Sequence, residues 1–345
     1  MDNPDKILII QTAFIGDVIL TIPVAVILKR EFPDVKIDFI CIPSTKILLK
    51  NNPNVDNVFV FDKKRKDKGL GGMLRIIKLI RSFDYDWIIV PHRSFRSTVI
   101  TRFGKCKYTV SFDKSALNFL YKYKIKYIQH KHEIIRNLTL LNPLGLYTDE
   151  IVRPVLCPDA DDEKFVEKIL QDCNIKNDEK LLTIAPGSVW YTKRFPEFKF
   201  AEIINDFSET DIPVILTGSK DDYDVCNEIV NLTKHNRIYN LAGKFNLLQT
   251  AELIRRTEIL ISNDSAPLHI ANAVGTKVFA VFGATIPQFG FYPYGEEDKI
   301  FEIKNLKCRP CSIHGGKKCP VKTFDCMLGI NTNEIILELK KFFNN

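Results

Sequence analysis

The chain has 345 residues, 45% of them apolar and 26% charged, a composition that suits folded domains and excludes a disordered or fibrous chain. Its net charge is +7 at pH 7, and residues 1–157 hold 26 lysines and arginines against 15 acids, whereas residues 158–345 hold 23 against 27. A basic first half calls for an anionic partner: nucleic acid, acidic lipid or an acidic ligand.

The length predicts two domains of ordinary size. No apolar run reaches the ~20 residues of a membrane span. The start, Met1-Asp2-Asn3-Pro4-Asp5-Lys6, lacks the basic and apolar regions of a signal peptide, so a cytoplasmic protein is expected.

In chain order, strand-like runs at Lys6–Ile10, Lys36–Ile42, Asn57–Phe61, Trp87–Val90 and Tyr108–Ser111 alternate with helix-like runs at Val18–Glu31, Leu70–Ser82 and Glu133–Leu144. Alternation of this kind predicts a parallel sheet covered by helices on both faces. The pattern breaks between Val152 and Glu163, where Pro154, Pro158 and a cluster of acids read as a connection leading into a helix. A second series begins at Lys180. It gives strands at Lys180–Ile184, Pro213–Thr217, Ile238–Tyr239, Glu258–Ile261 and Lys277–Val281, and helices at Glu197–Glu209, Asp222–Thr233, Leu247–Arg256 and Pro267–Val274. The expectation is therefore an α/β protein of two doubly wound, Rossmann-like domains, residues 1–157 and 178–345, joined by a connection and helix over 158–177 and facing each other across a cleft. Ligands of such sheets bind at the carboxyl ends of strands, near the switch points of strand order.

Most of the chemistry-bearing motifs follow a predicted strand. After the first strand comes Ile15-Gly16-Asp17. A dinucleotide site would carry several glycines here, so that backbone could approach a pyrophosphate. A single glycine followed by an acid fits a proton acceptor instead, or a simple helix cap. After Trp87–Val90 comes Pro91-His92-Arg93-Ser94-Phe95-Arg96. There Arg93 and Arg96 either clamp a carboxylate or phosphate or lie solvated on the surface. For the charge run Lys63-Lys64-Arg65-Lys66-Asp67-Lys68 solvation is the favoured reading.

In the second half, Gly187, Ser188, Lys193 and Arg194 follow a strand and suit a diphosphate, with backbone N–H groups and two full positive charges. Asp264 closes another strand and is placed to accept from sugar hydroxyls. Ser265 and Ala266 leave the following helix start open to an anion. His269 lies just inside that helix, in either a structural or a functional role. Gly283 suggests a close backbone approach to a ligand after a strand. In Gly218-Ser219-Lys220-Asp221-Asp222 an acid, Asp222, could hold a ribose, with a helix cap at Asp221 as the alternative. The D-x-D pattern at Asp84–Asp86 precedes a strand and that at Asp222–Asp224 lies in a helix start, and neither is assigned to a metal.

Nine cysteines are present. Cys41, Cys106, Cys157, Cys173 and Cys226 stand singly and are expected reduced. Cys308, Cys311, Cys319 and Cys326 form a cluster whose spacing departs from paired C-x2-C zinc sites. Reduced thiols are the favoured reading and a structural zinc the alternative.

Taken together, Ile15-Gly16-Asp17-Val18-Ile19-Leu20-Thr21-Ile22-Pro23, Lys193-Arg194-Phe195-Pro196, Ser262-Asn263-Asp264-Ser265-Ala266-Pro267-Leu268-His269-Ile270-Ala271 and Phe282-Gly283-Ala284-Thr285 resemble the ADP-heptose:lipopolysaccharide heptosyltransferase family, glycosyltransferase family 9. With the cysteine tail, the chain is most similar to members of the heptosyltransferase II type. The resemblance runs from residue 6 to about residue 340. It implies a GT-B fold and inverting transfer of heptose from ADP-heptose to a Kdo–lipid A inner core. Asp17 is then the general base, and Gly16, Arg93 and Arg96 serve the acceptor. Gly187, Ser188, Lys193, Arg194, Asp222, Asp264, Ser265, Ala266, His269 and Gly283 serve the donor. No metal cofactor is expected, because Lys193, Arg194 and a helix start can neutralise the departing diphosphate. The expected partners are the sugar nucleotide, the lipid A-linked core and the inner leaflet of the cytoplasmic membrane, with no nucleic acid. A transferase for another nucleotide sugar is the nearest rival. A nicotinamide oxidoreductase would need the glycine fingerprint, and a non-catalytic binder would have no use for Asp17.

Overall fold

The computed structural model describes residues 3–343, and the chain divides into two compact units, residues 1–157 and 158–345. The first unit begins with β1 (Lys6–Ile10), whose continuous apolar run is buried on both faces. It is followed by α1 (Ile15–Ile19), α2 (Ile22–Glu31), β2 (Lys36–Cys41), β3 (Asn57–Val60), α3 (Gly69–Phe83), β4 (Trp87–Val90), α4 (Phe95–Phe103), β5 (Tyr108–Phe112), β6 (Tyr123–Ile125) and α5 (Glu133–Thr139). The six strands are all parallel, in the order β3-β2-β1-β4-β5-β6.

The second unit contains α6 (Ala160–Asp172), β7 (Leu182–Ala185), α7 (Glu197–Asp206), β8 (Val214–Leu216), α8 (Tyr223–Leu232), β9 (Ile238–Asn240), α9 (Leu247–Arg255), β10 (Ile259–Asn263), α10 (Ala266–Val274), β11 (Lys277–Phe282), β12 (Lys299–Glu302), α11 (Asp325–Leu328) and α12 (Thr332–Phe343). Its strands are also parallel, in the order β12-β11-β10-β7-β8-β9. Read from the β9 edge, this is the same winding as in the first unit. Strand order therefore reverses between β1 and β4 in one sheet and between β7 and β10 in the other. Each reversal opens a crevice at the carboxyl ends of the strands.

The expected helix Val18–Glu31 is two helices. Pro23, in the first turn of α2, has no N–H to bond back to the preceding turn, and the Thr21 hydroxyl donates to the Asp17 carbonyl at 2.8 Å. The basic stretch Arg93–Ser97, for which no helix was expected, contains the start of α4: Ser94 caps it by accepting from Ser97 N at 3.2 Å. The connection helix forms as α6, capped reciprocally by Asp159 and Asp162. Its Val166 and Leu170 pack in a core with Leu181, Ile215 and Leu253. No helix among the described residues is long and apolar enough to cross a membrane.

Candidate active site

In the first unit the loop after β1 carries Asp17 in the first turn of α1. Its carboxylate accepts from the backbone N–H of Phe14 at 3.2 Å, so Asp17 supports the helix start from its third position while Phe14, and not Asp17 as foreseen, is the N-cap. The loop is pinned from below. Gln11 donates to the Thr21 hydroxyl at 3.1 Å, and Asn137 of α5 donates to the Leu20 carbonyl at 3.0 Å. Gly16 sits one residue earlier in the same turn. The charge of Asp17 reaches Glu133, the first residue of α5, whose carboxyl is pushed up by burial foremost, with Arg136 opposing and Asp17 adding to the rise. Arg136 donates to Glu133 at 2.6 Å and to the Gln129 carbonyl at 2.6 Å, which satisfies this buried pair.

The loop after β4 lies on the other side of the same switch point. His92 shares a hydrogen bond with Thr12 at 2.9 Å. Burial first, then Lys63 and Arg93, push its imidazole down to about 4. Lys63 donates to the Thr12 carbonyl at 2.7 Å, so this member of the basic run is not the solvated lysine expected of it. Its own ammonium is pushed down by burial, then by Arg96 and Lys64. Arg93 lies over the Tyr127 ring at 4.3 Å, and Arg96 is exposed in the first turn of α4. Lys63, Arg93 and Arg96 thus gather positive charge beside Asp17, with neutral His92 among them, an arrangement that suits a carboxylate or phosphate. Lys63 and His92 were missed in the sequence because a lysine run and a lone histidine carry no spacing signal.

In the second unit three of the sequence motifs meet. Lys193, in the loop after β7, pairs with Asp264, at the end of β10, at 2.7 Å. Thr285, after β11, donates to the same carboxylate oxygen at 2.6 Å. Arg194 turns back instead, donating to the Ser188 carbonyl at 2.8 Å. Ser188 is buried, and its hydroxyl accepts from Trp190 N at 3.4 Å. Ser265 takes the N-cap position of α10, with Ala266 as the first helical residue. The Ser265 hydroxyl is buried and makes no hydrogen bond in the described structure. A buried hydroxyl beside free helix N–H groups is a receptive place for an anion. His269 is buried within α10, its ring 6.3 Å from that of Phe291.

Two glycines have packing reasons. A Cβ on Gly187 would lie 2.3 Å from the carboxyl of Asp222. That carboxyl accepts from Ser219 N and Ser219 Oγ at 2.8 and 2.7 Å, so the capping contact expected of Asp221 is made by Asp222. A Cβ on Gly283 would lie 2.4 Å from Met327 Cε. The close approach inferred at Gly283 is therefore made by α11 of the chain itself.

Three residues that sequence reasoning left out hold this site. Asn263, fully buried, accepts from Phe195 N at 3.0 Å and donates to the Pro186 carbonyl at 2.7 Å. It fixes both ends of the Lys193 loop. Arg309 donates to the carbonyls of Gly283 and Thr285 while pairing with Glu302 at 2.7 Å. Thr192 is clamped by Gly316, accepting from its N–H at 2.7 Å and donating its own N–H to its carbonyl at 3.1 Å. The segment bearing the cysteine cluster thus buttresses the loop bearing Lys193. Burial foremost pushes the Cys326 thiol up to about 11 and raises that of Cys311. Among the described residues no group of three or more His, Cys, Asp or Glu is set to hold a metal ion.

Comparison with known proteins places this geometry. The family model of glycosyltransferase family 9 (heptosyltransferase) matches residues 73–321. Lipopolysaccharide heptosyltransferase 3 of Escherichia coli K12 is 29% identical over 86% of this chain and 87% of its own length. Lipooligosaccharide heptosyltransferase 2 of Campylobacter jejuni is 26% identical over 99% of each chain. The solved structure of the E. coli ADP-heptose LPS heptosyltransferase II superposes with a TM-score of 0.80 over 98% of each chain at 19% identity. The fold is accordingly GT-B, built from two doubly wound units in series. With its family model covering most of the sequence, the chain belongs to glycosyltransferase family 9, the heptosyltransferases.

Proposed function

We propose that this glycosyltransferase moves a heptose from ADP-heptose, with inversion at the anomeric carbon, onto the Kdo or heptosyl-Kdo-lipid A inner core of lipopolysaccharide. The observation that carries the reading is the meeting of Lys193, Asp264 and Thr285 beside the unsatisfied hydroxyl of Ser265. Two charged groups, two hydroxyls and a helix start at one switch point suit a sugar diphosphate. The names of the relatives, which specify lipopolysaccharide and ADP-heptose, support the same donor and acceptor.

In this mechanism the acceptor hydroxyl attacks the anomeric carbon and gives its proton to Asp17. The new C–O bond forms as the bond to the β-phosphate oxygen breaks. ADP departs from the opposite face, its growing charge met by Lys193, Arg194 and the N–H groups at the start of α10. Asp264 and Ser265 orient the sugar and phosphate, with Gly187, Ser188, Ala266 and His269 lining the donor side. Gly16, Arg93 and Arg96 orient the anionic acceptor. A positioned base contributes roughly 10²–10⁴-fold. These cationic groups take the part a metal would play, so transfer is expected to proceed without one and to continue at full rate in a chelator. The acceptor is lipid-anchored, so the enzyme works at the inner face of the cytoplasmic membrane.

The test is nucleotide release. The enzyme is incubated with lipid A-linked core and, separately, with ADP-heptose, other ADP-sugars and UDP-sugars. Acceptor-dependent release of ADP from ADP-heptose is expected. Preferential turnover of a different sugar nucleotide would transfer the assignment to the rival reading, a related transferase of another cell-surface glycan.

A further inference from the structure

The basic run after β3 is not a loose tether. Lys64, Arg65, Lys66 and Lys68 are exposed, but Asp67 among them is only 2% exposed. Its carboxylate takes two bonds from the Arg75 guanidinium, each 2.6 Å, and accepts from Asp62 N at 2.8 Å. Arg75 also donates to the Val60 carbonyl at 2.9 Å. The turn is thereby closed on itself and fastened to α3, with its cations held in one place.

The helix it is fastened to has two contrasting faces. Met73, Ile76, Ile77 and Ile80 are buried in the core. The outward face should be polar by the usual logic of surface helices. Instead it opens with Leu70 and Leu74, one turn apart, 78% and 57% exposed, and becomes basic only toward Lys78 and Arg81. The start of α3 follows the carboxyl end of β3, which places the leucines and the cationic turn on the sheet edge that carries Asp17 and His92. Two exposed leucines directly after a turn of exposed cations match the requirements of an interfacial anchor: apolar side chains to enter the acyl boundary and ammonium groups to meet headgroup phosphates.

We propose that the 64–68 turn and the leucine face of α3 form the surface by which this enzyme docks onto a bilayer rich in anionic lipid. This rests on the lipid-linked acceptor of the proposed function and adds the place of contact. Charge selects this occupant over a second copy of the chain, because two such faces would set like charges against each other. Exposed leucines also have no counterpart in phosphate-tracking nucleic-acid grooves, which pair cations with aromatic rings.

Co-flotation with vesicles, without acceptor or donor, tests the surface apart from the reaction. The probes are vesicles of phosphatidylglycerol with phosphatidylethanolamine and vesicles of phosphatidylcholine alone. The wild type is expected on the acidic vesicles, released by high salt and absent from the neutral ones. Leu70→Ser with Leu74→Ser, and separately Lys64→Glu with Lys66→Glu, are each expected to lower partitioning by about tenfold or more. Turnover of a water-soluble, delipidated acceptor should be unchanged in both, and thermal melts should match the wild type. The proposal is overturned if the wild type does not float with acidic vesicles, if both double variants float equally well, or if the leucine variant instead abolishes a dimer seen by gel filtration. The ADP-release assay reports on the reaction independently, so the two ideas fail separately.

Discussion

Lys193 and Asp264 neutralise each other at 2.7 Å, with side chains only 14% and 8% exposed. Each is drawn from a loop beside the β7/β10 switch point, and in the free enzyme each is the other's counter-ion. A diphosphate entering here competes with the carboxylate for the ammonium. Lys193→Met strands the acid. Denaturant unfolding should show a loss of about 3–5 kcal/mol. The double variant Lys193→Met with Asp264→Asn should regain most of that stability while remaining inactive. A double variant as unstable as the single one would mean that the pair is not what the loss reports.

Asn263 tests the scaffold beneath that pair. Asn263→Ala leaves a buried N–H at Phe195 and a buried carbonyl at Pro186 without partners, at about 1–3 kcal/mol each. Because both lie on the strap carrying Lys193, the donor KM should rise more than the acceptor KM. Steady-state kinetics with each substrate varied in turn would show the split. An equal change in both would disconnect Asn263 from the donor loop.

Asp17→Asn separates the two roles of Asp17. The amide oxygen still accepts from Phe14 N, so the melting temperature should stay close to wild type. Turnover should fall by roughly 10²–10⁴, with donor affinity little changed by calorimetry. Near-normal turnover in a folded protein would remove Asp17 as the base.

His92 sets a pH dependence of stability. Its imidazole, pushed down to about 4 by burial and then by Lys63 and Arg93, is neutral in the fold where the unfolded chain, with an ordinary value near 6.5, is already protonated. The unfolded state therefore binds the extra proton, and stability falls as pH drops from about 6.5 toward 4. Below that both states are protonated and the loss from this group stops. Melting temperatures across this range should decline more steeply in the wild type than in His92→Gln. Parallel slopes would acquit His92.

Sequence reading went furthest where the signal was local. β1 and β4 are unbroken apolar runs entered from a charged residue, Lys6 and Asp86, and they form where expected, at Lys6–Ile10 and Trp87–Val90. β6 was passed over, although Tyr121, Tyr123, Ile125 and Tyr127 alternate with Lys122, Lys124 and Lys126. That is the period of a strand, and the exposed lysines mark its open edge. The site residues were visible one loop at a time, since each follows a strand. What no local pattern carries is the coupling between loops. Nothing in the vicinity of Thr285 says that it donates to Asp264. Nothing around Arg309 says that it reaches back to the carbonyls of Gly283 and Thr285. Those contacts depend on β7, β10 and β11 lying side by side, which is a property of strand order and not of spacing.

That strand order, the same in both halves, has a consequence for how such enzymes diversify. Each half closes a hydrophobic core from its own residues and carries its own crevice. On the proposed assignment of the acceptor to the half with Asp17 and the donor to the half with Lys193, either preference can change without disturbing the other half. Exchanging residues 1–157 with the matching portion of a relative should carry over the choice of acceptor and leave the sugar nucleotide as it was. Acceptor range and sugar range then become traits that evolve, and can be engineered, one at a time.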